Sequence, residues 1–462
     1  MKTYLPIEKD TFRWEDFKMT LSVEGYDSIL GGPRPNGTPQ DWYITESGNI
    51  QPPYSLGEWN FFDEKGKWFH NDMLEMQHHP HIFDRFHCHF KNKYELSESG
   101  EEHLYIITVF NPHYFTQNEK VGFSAIDDQF KNDIRNGKAA IVIFYAWEGY
   151  SGMIDTDGVE NRDFLIVEEW RKRENFPPKS VHFFTGNLLG DKHPHNKDSG
   201  TVIHAFSTFD NWNADTVDEP IVDFKPDKEK YLYLSYNRNP RTPRIYLAGK
   251  LKEEDLLDKG IVSFGKPSWM KSENNTMRSI GIRDRDWAWL YRNLPLELDK
   301  NLHFNLACNI THNDFTKTFC SIVTETLIDK NTIFISEKIW KCLQVGHPFF
   351  VLGNRDTLDY LRRQGYQTFG EWFDESYDNI DDYRLRINSI VNEIRRLQKY
   401  SLKDLKTIRK EMKEVLEFNK KLHYKQLLER WRIHTTEKPA YILFKLFDIY
   451  EGLKKKNSIR LL

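Results

Sequence analysis

Residues 331–354 read NTIFISEKIWKCLQVGHPFFVLGN. Two apolar runs, Ile333–Ile335 and Pro348–Leu352, flank a segment with helical spacing, so the stretch predicts strand, helix, strand. Ser336 stands where the helix begins and is a good N-cap, because its hydroxyl satisfies an orphan backbone N–H. Glu337 suits the electropositive start of a helix; Lys338 does not. A helix N-terminus at the carboxyl edge of a sheet is also an anion site. A phosphate or pyrophosphate there explains the lysine, since the opposing dipole is worth only ~0.3–1 kcal/mol. The plain alternative is a surface lysine running past the cap. Glu337 has two readings: stabiliser of the helix start, or acceptor for sugar or ribose hydroxyls.

The same alternation extends in both directions. LYIITVF (104–110), AAIVIFYA (139–146), SVHFFTGN (180–187) and TVIHAF (201–206) read as buried strands. Helical segments fall at 124–137, with Gly137 as the stop, and at 163–175. An acidic stretch, NWNADTVDEPIVDFKPDKEK (211–230), reads as a linker. The pattern then restarts with a strand at YLYLSYN (231–237), a helix over 241–260 ending at Gly260, and strands at IVSF (261–264), HFNLACN (303–309) and FCSIVTET (319–326). Beyond the opening stretch come a short helix at 357–365, a strand at YQTF (366–369), and helical periodicity over 384–432 and 439–456. Continuous apolar strands alternating with helices predict parallel sheets covered on both faces. Two such halves in series predict a ligand site at the strands' carboxyl ends, in a cleft between the halves. Residues 1–100 show little periodicity and read as irregular structure with short strands.

Bulk properties exclude several classes. A chain of 462 residues suits two domains. With 39% hydrophobic and 29% charged residues it is a globular sequence. Aromatics reach 15%, enough for stacking platforms as well as cores. The net charge of −4 gives no global case for nucleic acid, but from Arg384 onward there are 21 Lys and Arg against 9 Asp and Glu. That basic region can meet phosphates, or simply line solvated helix faces. Cys88, Cys308, Cys320 and Cys342 form no CxxC, and nothing at the N-terminus reads as a signal peptide, so reduced thiols and a cytoplasmic setting are expected. No apolar run approaches a membrane span.

A second cationic cluster, SYNRNPRTPR (235–244), follows the strand at 231–237. It offers Asn237, Arg238, Arg241 and Arg244, and arginine binds phosphate oxygens bidentately. Together FISEKIWKCLQVGHPFFVLGN and SYNRNPRTPR resemble the donor-binding motifs of the α1,3-fucosyltransferases, glycosyltransferase family ten. FCSIVTET and GYQTFGEWFDESYD also look like glycosyltransferase-like proteins of phages and large viruses. The resemblance covers about residues 231–380. It implies an α/β chain of GT-B fold: two facing Rossmann-like domains with an interdomain cleft and a C-terminal crossing helix. The implied boundaries are 1–226 for acceptor binding, 227–435 for the nucleotide sugar, and 436–462 for a helix packing back on the first domain. It puts Arg244 and Lys338 on the donor pyrophosphate and Glu337 on the ribose or sugar, with Asn237, Arg241 and Ser336 completing the donor site.

In the N-terminal half, AIVIFYAWEGYSG looks like the family's strand ending in a catalytic glutamate, which makes Glu148 the general base; burial past a strand end would raise its pKa toward neutrality. The sequence departs from the family after Glu148, so Asp127, Asp128 and Asp155 stand as alternatives, as does a plain turn residue. His78, His79, His81, His87 and His89 make a competing cluster able to bind zinc or iron. The expected activity is an inverting, metal-independent glycosyltransferase using a UDP- or GDP-sugar, with no required cofactor. The expected acceptor is a hydroxymethylated base of phage-type DNA, met through the basic C-terminal region, with a glycan or protein as the alternative. The competing class is a non-catalytic nucleotide- or DNA-binding protein of the same fold.

Overall fold

The computed structural model describes residues 19–24, 43–44, 50–51, 88–90, 102–109, 128–145, 163–192, 195–198, 200–205, 220–226, 230–237, 239–267, 270, 281–296, 312–326, 328, 332–431 and 441–460. The chain divides into two compact units. One comprises Lys2–Ile154, Glu160–Asn211 and Leu428–Leu462; the other is built on Trp212–Leu427.

The N-terminal unit contains β1 (Met19–Glu24), β2 (Tyr43–Ile44), β3 (Ile50–Gln51), β4 (Cys88–Phe90), β5 (His103–Val109), α1 (Asp128–Arg135), β6 (Ala139–Tyr145), α2 (Asp163–Arg173), β7 (Val181–Thr185), α3 (His195–Asp198) and β8 (Thr201–Ala205). Six strands form a parallel sheet in the order β4-β1-β5-β6-β7-β8; β2 and β3 pair antiparallel. Ala139 to Ile143 are sealed from solvent, as a central parallel strand requires. A satisfied polar knot fastens α2 to β8. The buried Glu168 carboxylate takes two bonds from Arg171, at 2.9 and 2.8 Å, and further bonds from the Gly200 and Thr201 backbone and the Thr201 hydroxyl. Gly200 has to be a glycine: a Cβ there would lie 2.3 Å from the Arg171 guanidinium carbon.

The C-terminal unit contains β9 (Tyr231–Asn237), α4 (Thr242–Glu253), β10 (Gly260–Phe264), α5 (Asp284–Asn293), α6 (His312–Lys317), β11 (Thr318–Thr324), α7 (Glu337–Val345), β12 (Phe349–Leu352), α8 (Thr357–Arg363), α9 (Tyr383–Gln398), α10 (Leu402–Glu411) and most of α11 (Lys413–Trp431). The sheet is parallel in the order β10-β9-β11-β12. The last helix, α12 (Tyr441–Arg460), belongs to the N-terminal unit, where it packs on β6.

Several sequence expectations are corrected. Ile333–Ile335 is not a strand. It is buried at 2% exposure but carries no ladder, its apolar composition serving burial alone. Residues 325–336 are therefore the connection from β11 to α7. YQTF is not a strand either; Tyr366 and Phe369 are buried anchors in an irregular segment. The helix expected to reach Gly260 ends at Glu253, and Asp255 then takes a left-handed φ of 53°. Gly260 instead opens β10. The acidic stretch read as a linker is docked where it is described: Val222 and Phe224 are buried, and the Val222 N–H donates to the Val345 carbonyl at 2.7 Å. HFNLACN lies outside the described residues. Among the described residues no helix is long and apolar enough to cross a membrane.

Candidate functional site

The C-terminal sheet has a topological switch point between its two central strands. From β9 the chain crosses by α4 to β10 on one side; from β11 it crosses by α7 to β12 on the other. Right-handed crossovers in opposite directions put α4 and α7 on opposite faces, so their N-termini flank the crevice beyond the ends of β9 and β11. The sheet's ladder pairs Ser321 with Leu234. Continued in step, it sets Thr324 opposite Asn237, the last residues of the two strands.

On the β9 side, Asn237 is 1% exposed and donates Nδ2–H to the Ser235 hydroxyl at 2.8 Å, while its Oδ1 has no hydrogen-bond partner. Arg241 is the N-cap of α4, in extended backbone and without a side-chain cap bond. Pro243 follows in the first turn, where a missing N–H costs nothing. Arg244 is buried at 4% exposure. Its guanidinium donates to the Asn239 carbonyl at 2.8 Å and reaches the Thr324 carbonyl at 3.2 Å, tying the start of α4 to the end of β11. Arg238 lies outside the described residues.

On the β11 side, Glu325 follows the strand directly. Its backbone N–H continues the ladder to the Leu352 carbonyl at 2.9 Å. Its carboxylate Oε1 accepts the N–H of Ser336 at 3.0 Å, clasping the two ends of the connection from β11 to α7. Ser336 caps α7, accepting from the Lys338 N–H at 3.4 Å. Lys338 does not reach outward. Its Nζ donates to Glu337 Oε1 at 2.7 Å and to Ser336 Oγ at 3.0 Å. Asn354, past β12, is buried, donates to the Thr332 carbonyl and hydroxyl, and leaves its own Oδ1 without a partner.

The two carboxylates answer differently to this setting. Burial pushes the Glu325 carboxyl up, only partly offset by the Lys338 charge. Burial also acts to raise Glu337, but the adjoining Lys338 ammonium outweighs it and holds Glu337 below the usual carboxylate range. At the ends of β9 and β11, Asn237 Oδ1, Thr324 Oγ1 and Glu325 Oε2 are buried polar atoms without partners, and Asn354 Oδ1 past β12 is another. Buried polar atoms nearly always have partners, and an unmet one costs about 1–3 kcal/mol. Three beside two cations, Arg244 and Lys338, suit a ligand that is both anionic and hydrogen-bonding.

The structure thus brings Asn237 and Arg244 to one side of the crevice and Ser336, Glu337 and Lys338 to the other, joined through Thr324 and Glu325. The sequence reading passed over Thr324 and Glu325. Their signal was present in FCSIVTET, where a run of buried strand residues ends abruptly in three polar side chains. Glu148, Asp127 and Asp155 lie outside the described residues. Asp128 opens α1 as an exposed side chain, 3.8 Å from Lys131. His78, His79, His81 and His87 also lie outside, and His89 is placed only as a residue of β4. Among the described residues no group of three His, Cys, Asp or Glu is placed to hold a metal. No family model matches this chain, and no curated protein matches it.

Proposed function

We propose that the C-terminal unit binds the diphosphate of a nucleotide sugar and that the chain is an inverting glycosyltransferase of the GT-B type. The observation that carries this reading is the meeting of two helix starts at one switch point, each bringing a cation: Arg244 from α4, in contact with the end of β11, and Lys338 from α7. Preorganised donors aimed at a leaving diphosphate stabilise the charge that develops as the glycosidic bond breaks. In this reading the two cations supply that charge in place of a metal ion. Glu148 takes the proton of the acceptor hydroxyl. Hydroxymethylated bases of phage-type DNA are the acceptor class to test first, ahead of glycans and proteins.

The test is transfer or hydrolysis from a panel of UDP- and GDP-sugars by the purified chain. Turnover with at least one donor is expected, and Arg244→Ala and Lys338→Ala should each lower kcat by roughly 10²–10³, the cost of removing one preorganised donor. Turnover that survives both substitutions unchanged overturns the reading. Binding of a donor without any turnover favours the non-catalytic alternative.

A further inference from the structure

Glu325 is the one carboxylate at the switch point whose bonding is left half made. It is 2% exposed, its Oε1 is spent on the Ser336 N–H, and its Oε2 has no partner. Glu337, one residue past the cap, by contrast accepts from the Lys338 ammonium on its Oε1 and keeps its side chain 14% exposed. Were Glu325 ionised, the crevice would set two carboxylates against the cations Arg244 and Lys338. A dianion arriving there would then meet a buried, unsolvated negative charge. With a proton on Oε2, the same group turns from repeller to donor, as apolar sites elsewhere keep a carboxylic acid neutral so that it can donate a hydrogen bond.

We propose that Glu325 is a ligand-contacting residue of the diphosphate site, a neutral acid that donates its Oε2–H to a phosphate oxygen of the bound donor. This rests on the diphosphate reading above and adds to it a partner that neither motif supplies. The balance is simple: one proton enters from solvent as the diphosphate binds and leaves when it departs, and no covalent bond changes. Lys338, held by Glu337 and Ser336 in the empty site, turns to the ligand in the same step.

The charged and titratable groups that act on Glu325 are Lys338, Glu337 and Cys342, and Arg244 meets the carbonyl of the preceding residue, Thr324. Glu337 is held low by Lys338, and burial pushes the Cys342 thiol up to about 12, so neither titrates near neutrality. The direction at Glu325 in the empty site is upward, burial being the cause, which favours the neutral form of the carboxyl.

The test uses the full chain and P1,P2-dimethyl diphosphate, a dianion that does not itself titrate near neutrality. Its affinity is measured from pH 5.5 to 8.5 at constant ionic strength. The wild type should bind about tenfold more weakly per pH unit once the free carboxyl ionises, the slope of a one-proton linkage. Glu325→Gln, which keeps the carbonyl acceptor for Ser336 and offers an N–H donor, should bind with affinity independent of pH. Wild-type affinity that is flat with pH, or an unchanged slope in Glu325→Gln, overturns the proposal while leaving the diphosphate site standing. Absence of binding by the folded wild type at every pH overturns the diphosphate reading and this proposal with it. If Glu325→Gln does not fold, the wild type decides alone: calorimetric heats in two buffers of different ionisation enthalpy should show proton uptake, and zero uptake at every pH overturns the proposal.

Discussion

Two buried glutamates, one in each unit, have opposite surroundings. Glu168 in the N-terminal unit is 6% exposed and accepts from the Arg171 guanidinium, two backbone N–H groups and the Thr201 hydroxyl. Burial alone would raise its pKa, but those donors together hold it down at about 2. Glu325 in the C-terminal unit is as deeply buried, is met by Ser336 alone and keeps its Oε2 without a partner, and burial prevails. The same residue type is structural where the fold completes its bonds, and is left with a spare acceptor where it does not, the feature on which the proposal above rests.

The contrast can be broken most forcefully at Glu168. Glu168→Ala leaves Arg171 buried without its carboxylate, and breaking a buried pair in this way costs about 3–5 kcal/mol. Chemical denaturation should show a loss of that size; a loss below about 1 kcal/mol would mean that solvent, not the knot, satisfies Arg171. The pH dependence of stability comes next, and its sign differs between the two residues. Glu168 has a depressed folded pKa, so its stabilisation is full above about 4.5 and is lost as pH falls toward about 2. Glu325 has a raised folded pKa, so its contribution is full below its unfolded value of 4.5 and is lost as pH rises through the folded one. Glu168→Gln should flatten the acid limb of the wild-type curve and Glu325→Gln the limb above pH 4.5, both measured by denaturant titration. The smallest effect expected is the stability of Glu325→Gln near neutrality, within about 1 kcal/mol of wild type or above it, since the carboxylate there makes few bonds to lose. A loss approaching that of Glu168→Ala would erase the distinction between the two sites.

The parallel sheets were legible because strands covered on both faces must be apolar throughout, and β6, β7, β9 and β11 are. The failures have one cause. Ile333–Ile335 has the composition of a buried strand, and composition cannot say whether a buried apolar segment joins a ladder. Tyr366 and Phe369 misled in the same way. At the helix expected to end on Gly260, an aspartate took the left-handed turn that a glycine was expected to take. In the candidate site, Ser336, Glu337, Lys338 and Arg244 were readable because each stands at a helix start, a local feature. Glu325 was not, because its meaning lies in a clasp to a residue eleven positions away. Nor was the pairing of Lys338 with Glu337, which is a matter of rotamer rather than spacing.

That pairing has a consequence for selectivity. An ammonium already engaged by its neighbour, at 2.7 Å and with its side chain 26% exposed, presents little bare field to passing ions. Chloride or orthophosphate, meeting one cation at a time, gains too little to unseat a carboxylate that is covalently next door. On the diphosphate reading proposed above, a ligand whose two phosphates span from α4 to α7 would meet Arg244 and compete for Lys338 at high effective concentration. The Lys338 ammonium is in this sense already occupied by the protein's own side chain, and on that reading a bridging anion would be the one equipped to evict it.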